Sequence, residues 1–137
     1  MIDHLSLAVN DMAKSRQFYD AVLEPLGYGR VMDFDHAGKV FSGYGPAKKP
    51  AFWIYGGYGT AHPGPGAHVA FLAPNRPAVD AFHRQALARG GRDEGKPGLR
   101  PDYHANYYGA FVFDPDGHKL EAVCHAPGTF TDQFAST

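Results

Sequence analysis

The feature that most constrains this chain is that its second half repeats its first. "IDHLSLAV" (2–9) and "AHVAFLA" (67–73) both alternate in the manner of a half-buried strand, and each carries one histidine, His4 and His68. A shift of 64 places His4 on His68, Phe18 on Phe82, Leu23 on Leu87 and Gly27 on Gly91. The last strand of each half needs a shift of 68, which pairs Phe52 with Leu120, Trp53 with Glu121 and Ile54 with Ala122. The extra residues fall in "GLRPDYHANYY". Matched Phe and Leu positions arise by chance easily; the same polar residue at the same place in both opening strands does not. A period near half the chain length is the signature of a degenerate duplication.

Each half reads β-α-β-β-β. Asn10 or Asp11 caps a helix running to about Leu23 or Glu24, where Pro25 helps end it. Phe18, Val22 and Leu26 form its apolar stripe. "RVMDF" and "KVFSGYG" make a hairpin through "DHAG", "AFWIYG" is a further strand, and "GGYGTAHPGPG" is a loop. In the second half Asn75 caps the helix, Pro77 sits in its first turn, and Gly90 and Gly91 follow its end. The expectation is one α+β domain over 1–137, with a first module at about 1–58, a second at about 66–125 and a tail at 126–137.

Composition narrows the function. The chain of 137 residues is 44% hydrophobic and 20% charged, enough for one core. Its net charge is -1 and no basic block stands out, so nucleic acid and anionic membrane surfaces are not expected partners. No apolar run reaches membrane-spanning length, and "MIDHLSLAVNDM" lacks the pattern of a signal peptide. The single cysteine, Cys124, excludes an intrachain disulfide and fits a reducing compartment. A cytoplasmic protein is expected.

The polar residues inside the pattern carry the chemistry. If the helix-covered faces hold Leu5, Leu7, Val9, Phe52, Ile54, Val69, Phe71, Leu120 and Ala122, the opposite faces hold His4, His68, Trp53 and Glu121. Singly, each polar residue reads best as a solvated position. Together, at duplicated positions, two histidines and a carboxylate form a set suited to a divalent metal with open coordination positions. "DYHANYYGAF" brings Tyr103, His104, Asn106, Tyr107 and Tyr108 to one loop, where a proton-transfer group and an aromatic wall are as well matched as ordinary packing. His36, His62, His83 and His125 are read mostly as solvated, and His118, after "DPDG", as a surface residue beside a turn. No GxxxxGK[ST], HExxH, CxxC or GxSxG is present, and the glycine-rich loop lacks the spacing of a dinucleotide fingerprint.

Three motifs, "IDHLSLAV" with "FYDAVLEPLGY", then "GAHVAFLA", then "FDPDGHKLEAV", together span nearly the whole chain. In these the sequence resembles the vicinal oxygen chelate superfamily: glyoxalase I, extradiol dioxygenases, and the fosfomycin- and bleomycin-resistance proteins. The resemblance implies paired βαβββ modules forming an open, barrel-like cavity around a metal. It matches His4, His68 and Glu121 to metal ligands, with Zn, Ni, Mn or Fe as the divalent ion. The remaining ligand position, a glutamate in classical glyoxalase I, falls on Trp53 or a close neighbour, and "PAFWIYGG" holds no carboxylate. Indole cannot serve as that ligand, which disfavours classical glyoxalase I. The sequence is most similar to the small glyoxalase-like bacterial proteins.

The leading expectation is a metal-dependent lyase, isomerase or dioxygenase acting on a small substrate with neighbouring oxygens. His4, His68 and Glu121 hold the metal, His104 or Tyr108 moves protons, and Trp53, Tyr55, Asn106 and Tyr107 line the substrate. The alternative is a protein of the bleomycin-resistance kind that sequesters an aromatic or cationic compound without metal; a third possibility is an interaction module with a vestigial site. Open sheet edges and family habit both favour a homodimer, with modules paired within one chain or across two.

Overall fold

Asp11, not Asn10, caps the first helix: its side chain accepts the Lys14 amide at 3.0 Å. A computed structural model describes residues 1–128, so residues 129–137 of the expected tail lie outside the described residues. The first module runs β1 (Leu5–Ala8), α1 (Met12–Leu23), a 3-10 turn (Glu24–Leu26), β2 (Gly29–His36), β3 (Lys39–Gly45) and β4 (Phe52–Gly56). The second runs β5 (His68–Leu72), α2 (Arg76–Ala88), β6 (Arg92–Leu99), β7 (Tyr108–Phe113) and β8 (Lys119–Cys124). The hairpin between β2 and β3 turns on Ala37 and Gly38, both at positive φ (51° and 78°), a turn whose twist suits two-residue hairpins.

Each module builds its own four-stranded sheet, ordered β1-β4-β3-β2 and β5-β8-β7-β6. The duplication shows in the register. β1 pairs β4 in parallel with Ser6 opposite Trp53, and β5 pairs β8 in parallel with Ala70 opposite Glu121. Trp53 and Glu121 therefore hold equivalent places, which settles the register of the first module's last strand.

One core joins the two modules. Phe18, Val22, Leu23, Phe52 and Ile54 from the first cluster with Val79, Phe82, Val112, Leu120 and Ala122 from the second. All are nearly inaccessible, and emptying one such site by truncation to alanine costs roughly 2–5 kcal/mol. The expected helix stripe of Phe18, Val22 and Leu26 is buried here.

Polar contacts register the modules against each other. Tyr19 of α1 donates to Asp114 Oδ2 at 2.6 Å, and Asp114 Oδ1 accepts the amides of Asp116 and His118 in the turn before β8. His118 Nε2 lies 2.7 Å from the Ala8 carbonyl and donates to it. His118 is thus a half-buried bridge between modules rather than a free surface residue. His83 of α2 is buried too, bonded through Nε2 to Asp93 Oδ1 at 2.8 Å.

The edge strands β1 and β5 do not pair with each other. A largely apolar cavity of about 570 Å³ separates them, lined by Leu5, Tyr28, Phe52, Val69 and Phe71 among others. The two exposed sheet faces are consequently separate surfaces, not one continuous sheet. No helix among the described residues is long and apolar enough to cross a membrane.

Candidate functional site

Strand alternation turns Glu121 away from the helix-covered core that Leu120 and Ala122 join. Its side chain is nevertheless buried, with 3% of its surface exposed. His68 Nε2 stands 3.6 Å from Glu121 Oε1, and Tyr107 donates its hydroxyl to Glu121 Oε2. A carboxylate so enclosed is costly unless charge or hydrogen bonds compensate it. Tyr107 supplies one neutral donor. Burial, then the hydrogen bond to Glu121, raise the Tyr107 pKa above the ordinary tyrosine value, so this hydroxyl stays protonated at neutral pH.

These three residues face a cavity of about 580 Å³ on the second sheet. Phe111, opposite Glu121 in the β7–β8 register, forms part of its floor, and its ring centroid lies 6.2 Å from that of His68. Arg100, Tyr103, Lys119 and Glu94 complete much of the rim.

His104 stands behind Tyr107 rather than in this cavity. Its Nδ1 accepts the Asn106 amide at 3.1 Å, which puts the neutral ring's proton on Nε2 and directs it to His125 Nδ1 at 2.8 Å. The His104 and His125 rings lie side by side at 27° to each other with centroids 5.0 Å apart, and both are steeply inclined to the Tyr107 ring. The pair therefore buttresses Tyr107. Asn106 joins the arrangement through its backbone amide. Tyr108 turns to the opposite side of β7, donating to Asp80 of α2 at 2.6 Å, with its pKa raised first by burial and then by that bond.

His4 lies on the other sheet. It shares a cavity of about 400 Å³ with Ser6, Phe34, Phe41, Lys49 and Trp53, and its Nδ1 meets Asp3 Oδ2 at 2.7 Å. Phe34 and Phe41 stack at 4.7 Å, Trp53 meets Phe34 edge-on, and Tyr55 and Tyr58 extend the group beyond Phe41. Phe34 is 44% exposed and Tyr58 55%, so this aromatic face is open to solvent in the single chain. Among the described residues no three His, Cys, Asp or Glu side chains gather closely enough to hold a metal ion. His68 and Glu121 form a pair; His4 is not with them.

The pair fits half of a metal site. Two donors each about 2.1 Å from a tetrahedral ion lie roughly 3.4 Å apart, near the observed separation. An imidazole nitrogen and a carboxylate oxygen too far apart to hydrogen-bond, in a water-accessible recess, match that donor chemistry.

Two modules of one topology, the equivalence of Trp53 and Glu121, and an acid–imidazole pair on the second sheet are what a comparison with known proteins must explain. The model of the Glyoxalase/Bleomycin resistance protein/Dioxygenase superfamily matches residues 1–122. The chain belongs to this superfamily. Among solved members, a glyoxalase/bleomycin resistance protein from Albidiferax ferrireducens T118 is 31% identical, with a TM-score of 0.72 over 89% of this chain and 97% of that one. Glyoxalase I from Zea mays is 23% identical with a TM-score of 0.72 over 96% of this chain. This chain spans 47% of the maize enzyme, and at that identity the likeness shows the fold alone. A glyoxylase/bleomycin resistance protein/dioxygenase domain from Frankia sp. EAN1pec, 17% identical with a TM-score of 0.70, covers 92% of this chain. No curated protein of assigned function matches the sequence. The superfamily's model thus spans both modules, over residues 1–122.

Arg100, like Glu94, Phe111 and Lys119, borders this cavity without being among the site residues expected from the sequence. It sits in the "GLRPDY" stretch, which has no regular hydrophobic pattern. Tyr107 has a signal that points to it: it immediately precedes β7 in the phase of residues 109 and 111, and Phe111 is opposite Glu121.

Proposed function

We propose that this protein is a divalent-metal-dependent enzyme of the superfamily, acting on a small substrate with neighbouring oxygens in the cavity on the second sheet. The supporting observation is the buried Glu121 carboxylate facing His68 with, among the described residues, one tyrosine hydroxyl as its other side-chain partner. His68 and Glu121 would hold the ion, whose Lewis acidity would favour an oxyanion on the substrate. Tyr107 orients the carboxylate, and Phe111 limits the substrate's shape. Trp53 at the equivalent place in the first module disfavours the glyoxalase I ligand set.

His4 is proposed as a third ligand supplied by a second copy of the chain. The open aromatic face that carries it, and the unpaired edges of β1 and β5, favour a homodimer in which the first module of one copy covers the second module of the other. Mixing tests this. His4→Ala and His68→Ala chains, each inactive alone, are expected to recover metal binding at one site per mixed dimer. Failure to recover it, with both variants folded, rejects the shared site. Absence of stoichiometric metal from wild type after reconstitution rejects the metal reading itself.

A second reading draws on the Phe34, Phe41, Trp53, Tyr55 and Tyr58 face. Such a surface suits a planar aromatic or cationic compound held without chemistry. Thermal shifts with planar aromatic cations that persist in chelator, and vanish in Trp53→Ala, would favour this sequestering role. Under either reading a cytoplasmic location is proposed, consistent with the buried free thiol of Cys124.

A further inference from the structure

The cavity beside His68 and Glu121 contains two cations that the metal reading leaves unused. The Arg100 guanidinium lies 5.8 Å from the Phe111 ring centroid, and the Lys119 ammonium 5.1 Å from the same centroid. Both cations line the one cavity and share the Phe111 ring, so an anion seated there would be attracted by each. Among the described residues neither cation is in an ion pair, although Glu94 borders the same cavity and Glu121 is engaged by Tyr107 and His68. Among the described residues the Arg100 side chain makes one hydrogen bond, from Nη2 to the Lys96 carbonyl at 2.7 Å, which leaves most of its donor fork unassigned.

The backbone makes room for that fork. Strand β6 shifts register between Asp93 and Gly95 and again between Gly95 and Gly98. A β-carbon on Gly98 would stand 3.2 Å from Arg100 Nη1, and one on Gly95 would stand 3.4 Å from Nη2. Side chains at these two positions would crowd the guanidinium where it lies along the strand.

We propose that Arg100 and Lys119 form an anion-binding end of this cavity, taking the carboxylate of a small organic acid whose neighbouring oxygens address His68 and Glu121. The inference rests on the metal-enzyme reading for the second half of that statement and on the cavity alone for the first. A planar guanidinium matches a carboxylate through two parallel hydrogen bonds, and the lysine adds a point charge. The substrate class is therefore a small oxygenated carboxylic acid, not a neutral carbonyl compound.

Calorimetric titration with malate and 2-oxoglutarate, against their dimethyl esters, tests this in the full-length protein with and without Mn²⁺. At least one acid is expected to bind at least tenfold more tightly than its ester, with affinity falling as sodium chloride is added. Arg100→Gln and Lys119→Gln should each weaken the acid about tenfold, with the melting temperature and the bound-metal stoichiometry unchanged. If Arg100→Gln does not fold, Lys119→Gln carries the comparison. Equal binding of acid and ester, no binding of either acid at millimolar concentration, or wild-type affinity in the folded variants overturns the proposal. Binding that depends on Arg100 in protein that takes up no Mn²⁺ even on reconstitution defeats the metal reading and leaves the anion site standing.

Discussion

Tyr107 donates its hydroxyl to one oxygen of Glu121 while His68 stands 3.6 Å from the other. The carboxylate is thus held from one side and left open on the other, the side that faces the cavity. Tyr107→Phe removes the donor and keeps the ring against His104 and His125. It should cost about 1–3 kcal/mol of stability, because a buried acceptor loses its partner. Metal affinity should fall roughly tenfold or more, as it does when the group orienting a ligand is removed. Chemical denaturation and a competitive metal titration measure the two effects; unchanged metal affinity in the folded variant would remove Tyr107 from the site.

Glu121→Gln separates ligation from folding. It keeps the side-chain shape, loses the charge and weakens metal binding. In chelator the variant should melt no lower than wild type at neutral pH, since a neutral amide is cheaper to enclose than a carboxylate. A clearly lower melting temperature in chelator would mean that Glu121 serves the fold.

The contact between His83 and Asp93 gives the fold an acid-sensitive tie. The hydrogen bond from His83 lowers the Asp93 pKa below its ordinary value of 3.8. A carboxylate whose pKa is depressed on folding contributes stability above its unfolded value and loses it as pH falls through the folded value. Asp93→Asn should therefore lower the melting temperature at pH 6, and the difference from wild type should vanish toward pH 2. Melting curves across that range check it; a difference that grows on acidification would contradict the assignment.

Tyr19→Phe tests how the two modules are held together. The hydroxyl is the side-chain donor to Asp114, a carboxyl whose pKa burial pushes up and the Tyr19 bond pulls down. Its loss should cost about 1–3 kcal/mol. Hydrogen exchange should quicken around the turn at 114–118, which Asp114 organises. Equal protection there would show that the turn closes without the bond between modules.

Much of this architecture is legible in the residues. The two histidine-bearing opening strands, the cap at Asn75, a first cap at Asn10 or Asp11, and the equivalence of Trp53 and Glu121 follow from spacing and alternation. Strand β6 is harder to see, because Gly95, Pro97 and Gly98 are poor strand formers tolerated only on a bulged edge. Its illegibility hid Arg100. Tyr107 and Tyr108 are neighbours with opposite orientations, so a choice between them needs the phase of β7, which only its pairing with β8 provides. The separation of His4 from His68 is a property of how two finished sheets sit together. Local pattern carries no information about that, and the unpaired β1 and β5 edges leave it to side-chain contacts.

The matched register of Ser6 with Trp53 and Ala70 with Glu121 has an evolutionary reading. A doubled fold holds two copies of every position on its exposed faces, and only one copy need retain reactive groups. Here the second half keeps an acid and an imidazole, while the first keeps the imidazole of His4 but has the indole of Trp53, beside Phe34 and Phe41, where the acid would stand. Most of the reactive groups would then sit in the second half, with the first half contributing His4 and an aromatic wall. Under that division of labour, changes around Trp53 can redirect the protein to new molecules while the chemistry stays as it was.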